Sequence, residues 1–142
     1  MRATQIAEDK IRAYRATNYR LGHDEQSIVL RIGQRCDLLA PLFASRSVDC
    51  GAFLTAYNPR GSQQADARND LAHARLAARL GQLGLQAIEG SGSEEGSNWP
   101  AERSYFALGM ALDVARQIGT EFDQDAIVWV GADAVPELIL LR

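Results

Sequence analysis

At 142 residues, 46% hydrophobic and 23% charged with a net charge of -3, the chain has the size and composition of one globular domain, spanning 1–142, with a core of its own. Its longest apolar runs, Ala126 to Val130 and Leu138 to Leu141, fall far short of the roughly 20 residues that cross a bilayer, and Glu8-Asp9-Lys10 stands where a secretory signal needs an apolar segment; a cytoplasmic protein without a membrane partner is expected. Cys36 and Cys50 form no Cys-x-x-Cys pair, and His23 and His73 have no metal-ligand spacing, which predicts buried free thiols, histidines at the surface or on helix flanks, and no metal or cofactor.

Residues 1–18 open the chain with Ile6, Lys10-Ile11 and Tyr14 among charged neighbours, a surface amphipathic helix with Thr4 as its N-cap. From residue 19 onward, Tyr19-Arg20-Leu21, the turn-like Gly22-His23-Asp24-Glu25 and Ser27 to Ile32 read as a hairpin. Asp37 to Ala44 reads as a short helix whose Pro41 has to lie in the first turn. Gly51 to Tyr57 is a strand stopped by Asn58-Pro59 and Gly61-Ser62. Gln64 to Leu83 is the longest helical pattern: Asn69, Ala72, Leu76, Leu80 and Leu83 share one stripe, and Arg68, Arg75 and Arg79 occupy a solvated face.

Gly84 closes that helix, Leu85 to Glu89 is a strand, and Gly90 to Asn98 is a low-complexity connecting loop, with Trp99 anchoring its end. Ser104 to Gly109 resumes a strand, Ala111 to Phe122 is helical, and Ala126 to Val130, continuous and apolar, reads as a central strand with Trp129 in the core. Glu137 to Leu141 pairs back as the last strand. The core order β-α-β-β-α-β-β predicts an α+β fold, a ferredoxin-like sandwich with its helices on one face of the sheet, extended by the N-terminal helix and hairpin.

The chemistry is sparse. Gly90 to Asn98 matches neither a Walker loop nor Gly-x-Gly-x-x-Gly, and Glu94-Glu95 would repel phosphate. No Gly-x-Ser-x-Gly elbow is present and no Ser-His-Asp or Cys-His set can be assembled. What remains is a group of polar residues at strand ends and helix starts: Thr55, Asn58, Asn69, Glu102, Ser104 and Gln124. Their structural account is capping and satisfaction of buried backbone; their functional account is a polar pocket in which amides orient a ligand and Glu102 binds a cation or moves a proton.

The segments Leu30-Arg31-Ile32-Gly33, Ala52 to Pro59, Asn69, Gly90-Ser91-Gly92, Trp99, Glu102, Ser104 and Phe122-x-Gln124-x-Ala126-Ile127 together resemble the family called domain of unknown function 3293, from about residue 19 to the end. The resemblance implies a small, single-domain bacterial protein and brings no activity with it. Arg68 departs from the acidic residue that often precedes the helix asparagine in that family.

Three functions follow in order. The first is a small-molecule or peptide-binding module built on the six polar residues. The second is an enzyme with Glu102 as general acid or base, which requires burial to push its pKa up. The third is an interaction or nucleic-acid-binding subunit using Arg68, Arg75 and Arg79. Residues 1–80 carry a balance of +4 and residues 81–142 one of -7, an asymmetry that vanishes if the halves interleave in one sheet; the acidic balance of the whole chain and the lack of aromatics interleaved with these arginines place nucleic acid last.

Overall fold

The computed structural model describes residues 3–22 and 27–142. The turn expected at Gly22 to Glu25 and the placement of His23 fall largely outside those residues. Chain order is α1 (Glu8–Ala16), β1 (Asn18–Leu21), β2 (Ile28–Leu30), α2 (Leu39–Ser45), β3 (Gly51–Leu54), a short 3-10 turn (Pro59–Gly61), α3 (Asp66–Gln82), β4 (Ala87–Ser93), β5 (Glu102–Leu108), α4 (Leu112–Glu121), β6 (Ala126–Val130) and β7 (Pro136–Leu140). The strands form one seven-stranded sheet in the order β2-β1-β4-β5-β3-β6-β7, every neighbouring pair antiparallel. The fold is α+β.

The sheet carries a hydrophobic layer on each face. On one, Ala72, Leu76 and Leu80 of α3 and Ala115 and Ile118 of α4 pack on Ala52, Leu54, Ala107 and Ile127. On the other, Tyr19, Leu30, Phe53, Phe106, Val128 and Val130 meet Leu39 and Phe43 of α2, with the Phe43 and Phe106 rings stacked at 6.3 Å. Helices therefore cover both faces, against the expectation of one. The reason lies in β3, β5 and β6, whose side chains are apolar in both directions of the pleat and need cover on both sides.

The strand buried throughout on both faces is β3. The strand expected to be central, β6, lies between β3 and the edge strand β7, and Trp129 is only half-buried, its indole N–H donating to the Met110 carbonyl at 2.9 Å. Several local expectations also shift. Thr4 does not cap α1, whose N-cap Ala7 makes no side-chain bond; its hydroxyl donates instead to the Arg142 carbonyl. Leu83 is exposed, because α3 ends at Gln82 and Gly84, at φ 71°, turns the chain away. Both cysteines are free but half-buried rather than buried.

His73, expected near the surface, is buried on the α3 stripe, stacked on Tyr105 at 4.3 Å and edge-on to Tyr57 at 6.0 Å. Its ring supplies flat, apolar area there. Neither nitrogen has a hydrogen-bond partner among the described residues, and Nε2 lies 3.4 Å from Glu89.

The largest local correction concerns Gly90 to Ser93, expected in a loop and found inside β4, where each residue pairs with β1. A Cβ on Gly90 would stand 2.1 Å from the Arg20 carbonyl oxygen. Glycine is thus what lets the two backbones approach, and the low-complexity composition is a strand requirement. Gly92 differs, since its Cβ would meet only ordinary contacts at 3.6 Å or more. Chemical denaturation should therefore separate the two: Gly90→Ala is expected to lose about 1–3 kcal/mol through overpacking, and Gly92→Ala to stay within about 0.5 kcal/mol. Equal losses would refute the backbone-approach account.

Candidate functional site

Between α1 and the sheet face opposite α3 and α4 lies a cavity of about 350 Å³, within the size range of small-molecule sites. Its floor follows the sheet register. Tyr19, Gly92 and Glu102 stand side by side across β1, β4 and β5, and the missing side chain at Gly92 leaves open space between the other two. Phe53, Ala126, Val128 and Leu138 extend the floor, while Lys10, Ala13 and Tyr14 of α1, with Thr17 just past its end, form the facing wall. Those four residues follow the i, i+3, i+4, i+7 spacing of one helix face.

Five of the six sequence candidates line this cavity: Thr55, Asn58, Glu102, Ser104 and Gln124. The sixth, Asn69, is buried behind Asn58. The two asparagines bond reciprocally. The Asn58 backbone N–H donates to Asn69 Oδ1 at 2.9 Å, and Asn69 Nδ2 donates to Asn58 Oδ1 at 3.0 Å. Asn58 Oδ1 also accepts the Gln64 backbone N–H at 3.1 Å. Asn58 sits in the left-handed region at φ 47°, ψ 65°, a conformation asparagine tolerates better than other non-glycine residues.

Held in this way, Asn58 Nδ2 donates to Glu102 Oε2 at 2.7 Å, and the Trp99 indole N–H donates to the same oxygen at 3.0 Å. Trp99 is thus a pocket-wall residue as well as the anchor of its loop, and 42% of its surface stays exposed. Burial raises the Glu102 pKa, and the Trp99 and Asn58 hydrogen bonds oppose the rise. Burial, with the Asp125 and Glu102 charges adding to it, pushes the Tyr14 phenol up to about 12; burial likewise raises that of Tyr19. Both phenols are neutral at physiological pH.

The remaining candidates mostly serve backbone. Thr55 Oγ1 donates to the Arg103 carbonyl at 2.8 Å, Ser104 Oγ to the Glu102 carbonyl at 3.1 Å, and Gln124 Nε2 to the Tyr57 carbonyl at 3.0 Å. Reasoning from sequence missed Lys10, Tyr14, Tyr19, Phe53 and Gly92 as lining residues. The α1 spacing was the available signal, although Tyr14 there reads equally well as a residue packed on a core.

Fold and cavity together define an α+β protein with an aromatic-walled pocket between its first helix and the sheet. A family model described as Protein of unknown function (DUF3293) matches residues 54–127. That match runs from the end of β3 into β6, just over half of the chain, and the chain belongs to this family. No curated protein and no solved structure matches it.

Two measurements probe the network. Asn69→Ala removes both bonds to Asn58 and strands a buried backbone N–H, so equilibrium unfolding should show a loss of about 1–3 kcal/mol; an unchanged stability would mean the pair bears no weight. The second concerns pH. A carboxyl whose pKa is higher folded than unfolded favours the folded state below its unfolded pKa and loses that contribution as pH rises through the folded value. The melting temperature of Glu102→Gln relative to wild type should therefore rise as pH is taken above about 4, the unfolded carboxyl's range, and a pH-independent difference would contradict a raised Glu102 pKa.

Proposed function

We propose that this protein is a small-molecule-binding module whose ligand occupies the cavity between α1 and the sheet and is oriented by Glu102. One observation carries the reading: an acidic side chain is held by two donors, Asn58 and Trp99, on the floor of a cavity with mostly apolar walls. Structural carboxylates are usually solvated or ion-paired. A half-buried one, held in place by neutral donors and with no cation beside it among the described residues, has the arrangement of a ligand-reading group. A volume of about 350 Å³ favours a compact molecule over an extended peptide. The strand order β4-β5-β3-β6 with crossovers through α3 and α4 supports a ferredoxin-like reading of residues 51–130, and the continuous sheet supports treating 1–142 as one domain.

The second reading makes Glu102 a general acid or base. It is favoured by the burial that raises its pKa, but among the described residues the cavity lining contains no histidine or cysteine to share proton transfer or attack. Nucleic-acid binding through the α3 arginines ranks lower, because Arg79 Nε already donates to the Glu121 carboxylate at 3.0 Å.

Native mass spectrometry of the purified protein, followed by a thermal-shift screen of metabolites, tests the proposal. A leucine at Gly92 would start from a Cβ with room and extend into the cavity. Gly92→Leu should therefore keep the melting temperature of the unliganded protein while abolishing the upward shift given by any hit. A hit that stabilises wild type and Gly92→Leu equally would place binding elsewhere.

A further inference from the structure

The polarity of the lining narrows the ligand class. Most of the cavity's side-chain donors are turned into the protein: Thr55, Ser104 and Gln124 onto backbone carbonyls, Asn58 and Trp99 onto Glu102 Oε2, and the Tyr19 hydroxyl onto the Tyr14 carbonyl at 2.7 Å. With both donors on Oε2, Glu102 Oε1 accepts no hydrogen bond among the described residues, and it is not among the side-chain atoms sealed away without a partner. The cavity therefore offers a ligand an acceptor that bears negative charge and few free donors.

Charge points the same way. Glu94 adds a second carboxylate to the lining, and the one basic lining residue among the described residues, Lys10, is already engaged by the Arg60 carbonyl at 3.1 Å and by Asp125 at 3.4 Å. Four aromatic side chains, Tyr14, Tyr19, Phe53 and Trp99, supply ring surface around the same space. Aromatic rings beside a carboxylate attract ammonium groups, by the ring quadrupole and by charge-assisted hydrogen bonding. An anionic ligand would meet Glu102 with no free cation among the described lining residues to offset it.

Resting on the binding reading above, we propose that the cavity takes a small organic cation, an ammonium or alkylated ammonium group carried on an apolar body, with its charge seated against Glu102 among the aromatic side chains. The apolar body lies along Phe53, Ala126, Val128 and Leu138. Because Glu102 is half-buried and its hydrogen-bond partners are neutral donors, its charge has no counter-ion among the described residues; a ligand cation supplies one, and affinity follows the charge of the ligand as well as its shape.

Three probes of nearly equal size separate charge from shape: tryptamine, tryptophol and indole-3-propionate, cationic, neutral and anionic at about pH 8. Each is titrated by calorimetry into wild type and Glu102→Gln. The protein's two tryptophans are followed in parallel by their indole N–H resonances, assigned with a Trp99→Phe variant. Tryptamine should bind about tenfold or more tighter than tryptophol, with indole-3-propionate weakest. The Trp99 resonance should move and that of Trp129 stay, and Glu102→Gln should erase the preference. Tryptophol or indole-3-propionate binding as tightly as tryptamine, with the Trp99 resonance moving, would overturn the cation assignment and leave the pocket reading standing. No movement of the Trp99 resonance by any of the three at millimolar concentration would overturn both. If Glu102→Gln does not fold, the wild-type order of affinities decides.

Discussion

The reciprocal amide pair between Asn58 and Asn69 is the constraint on which the site depends. β3 must leave the sheet after Leu54 and deliver the chain to α3, and it does so through a left-handed residue followed by proline. The turn exposes backbone donors inside the protein. Asn69, one turn into α3, takes one of them, and Asn58 takes the Gln64 N–H just ahead of α3, whose own N-cap, Ala65, offers no side chain. An isolated buried amide would be a cost; two that satisfy each other fix the direction of the chain. The same geometry aims Asn58 Nδ2 at Glu102 across the sheet, so the turn and the carboxylate are positioned together.

Around that hinge the sheet divides its labour by face. The side under α3 and α4 is close-packed, with His73 inserted between two tyrosine rings. The opposite side is packed by α2 at one end and left open under α1 at the other. Glycine makes the difference along β4: Gly90 is forced by the nearness of the Arg20 carbonyl, whereas Gly92 simply omits a side chain that would fill the floor. The first belongs to assembly of the sheet. The second keeps the cavity clear.

Much of this was legible in the chain. The stripe from Asn69 to Leu80, the break at Asn58-Pro59 and the late pairing strand follow from periodicity and turn chemistry, and five of the six polar candidates were brought to one cavity. What escaped was long-range. Periodicity tells which residues share a face but not which face is solvated, so Tyr14 and Lys10 looked like parts of an ordinary surface helix. Gly90 to Ser93 has no side-chain alternation to read, and it is the pairing with β1, dozens of residues earlier, and with β5 that makes it a strand. The placement of β6 beside an edge was hidden for a similar reason: an apolar run reports cover above and below the sheet and is silent about neighbours within it.

The first helix buries none of its own residues, and several of its attachments are polar. Lys10 meets Asp125, which also holds Arg142 at 2.6 Å, Arg31 reaches the Ala16 carbonyl at 2.7 Å, and Thr4 reaches the Arg142 carbonyl. The floor of the cavity is held by a hydrogen-bonded ladder and apolar packing, which dissolved ions barely affect. One wall is fastened partly by partly exposed charges, whose attraction fades within roughly 8 Å at physiological ionic strength. Ionic strength therefore acts on the two halves of the cavity unequally, loosening the wall's grip on the sheet while leaving the sheet's own cohesion nearly untouched.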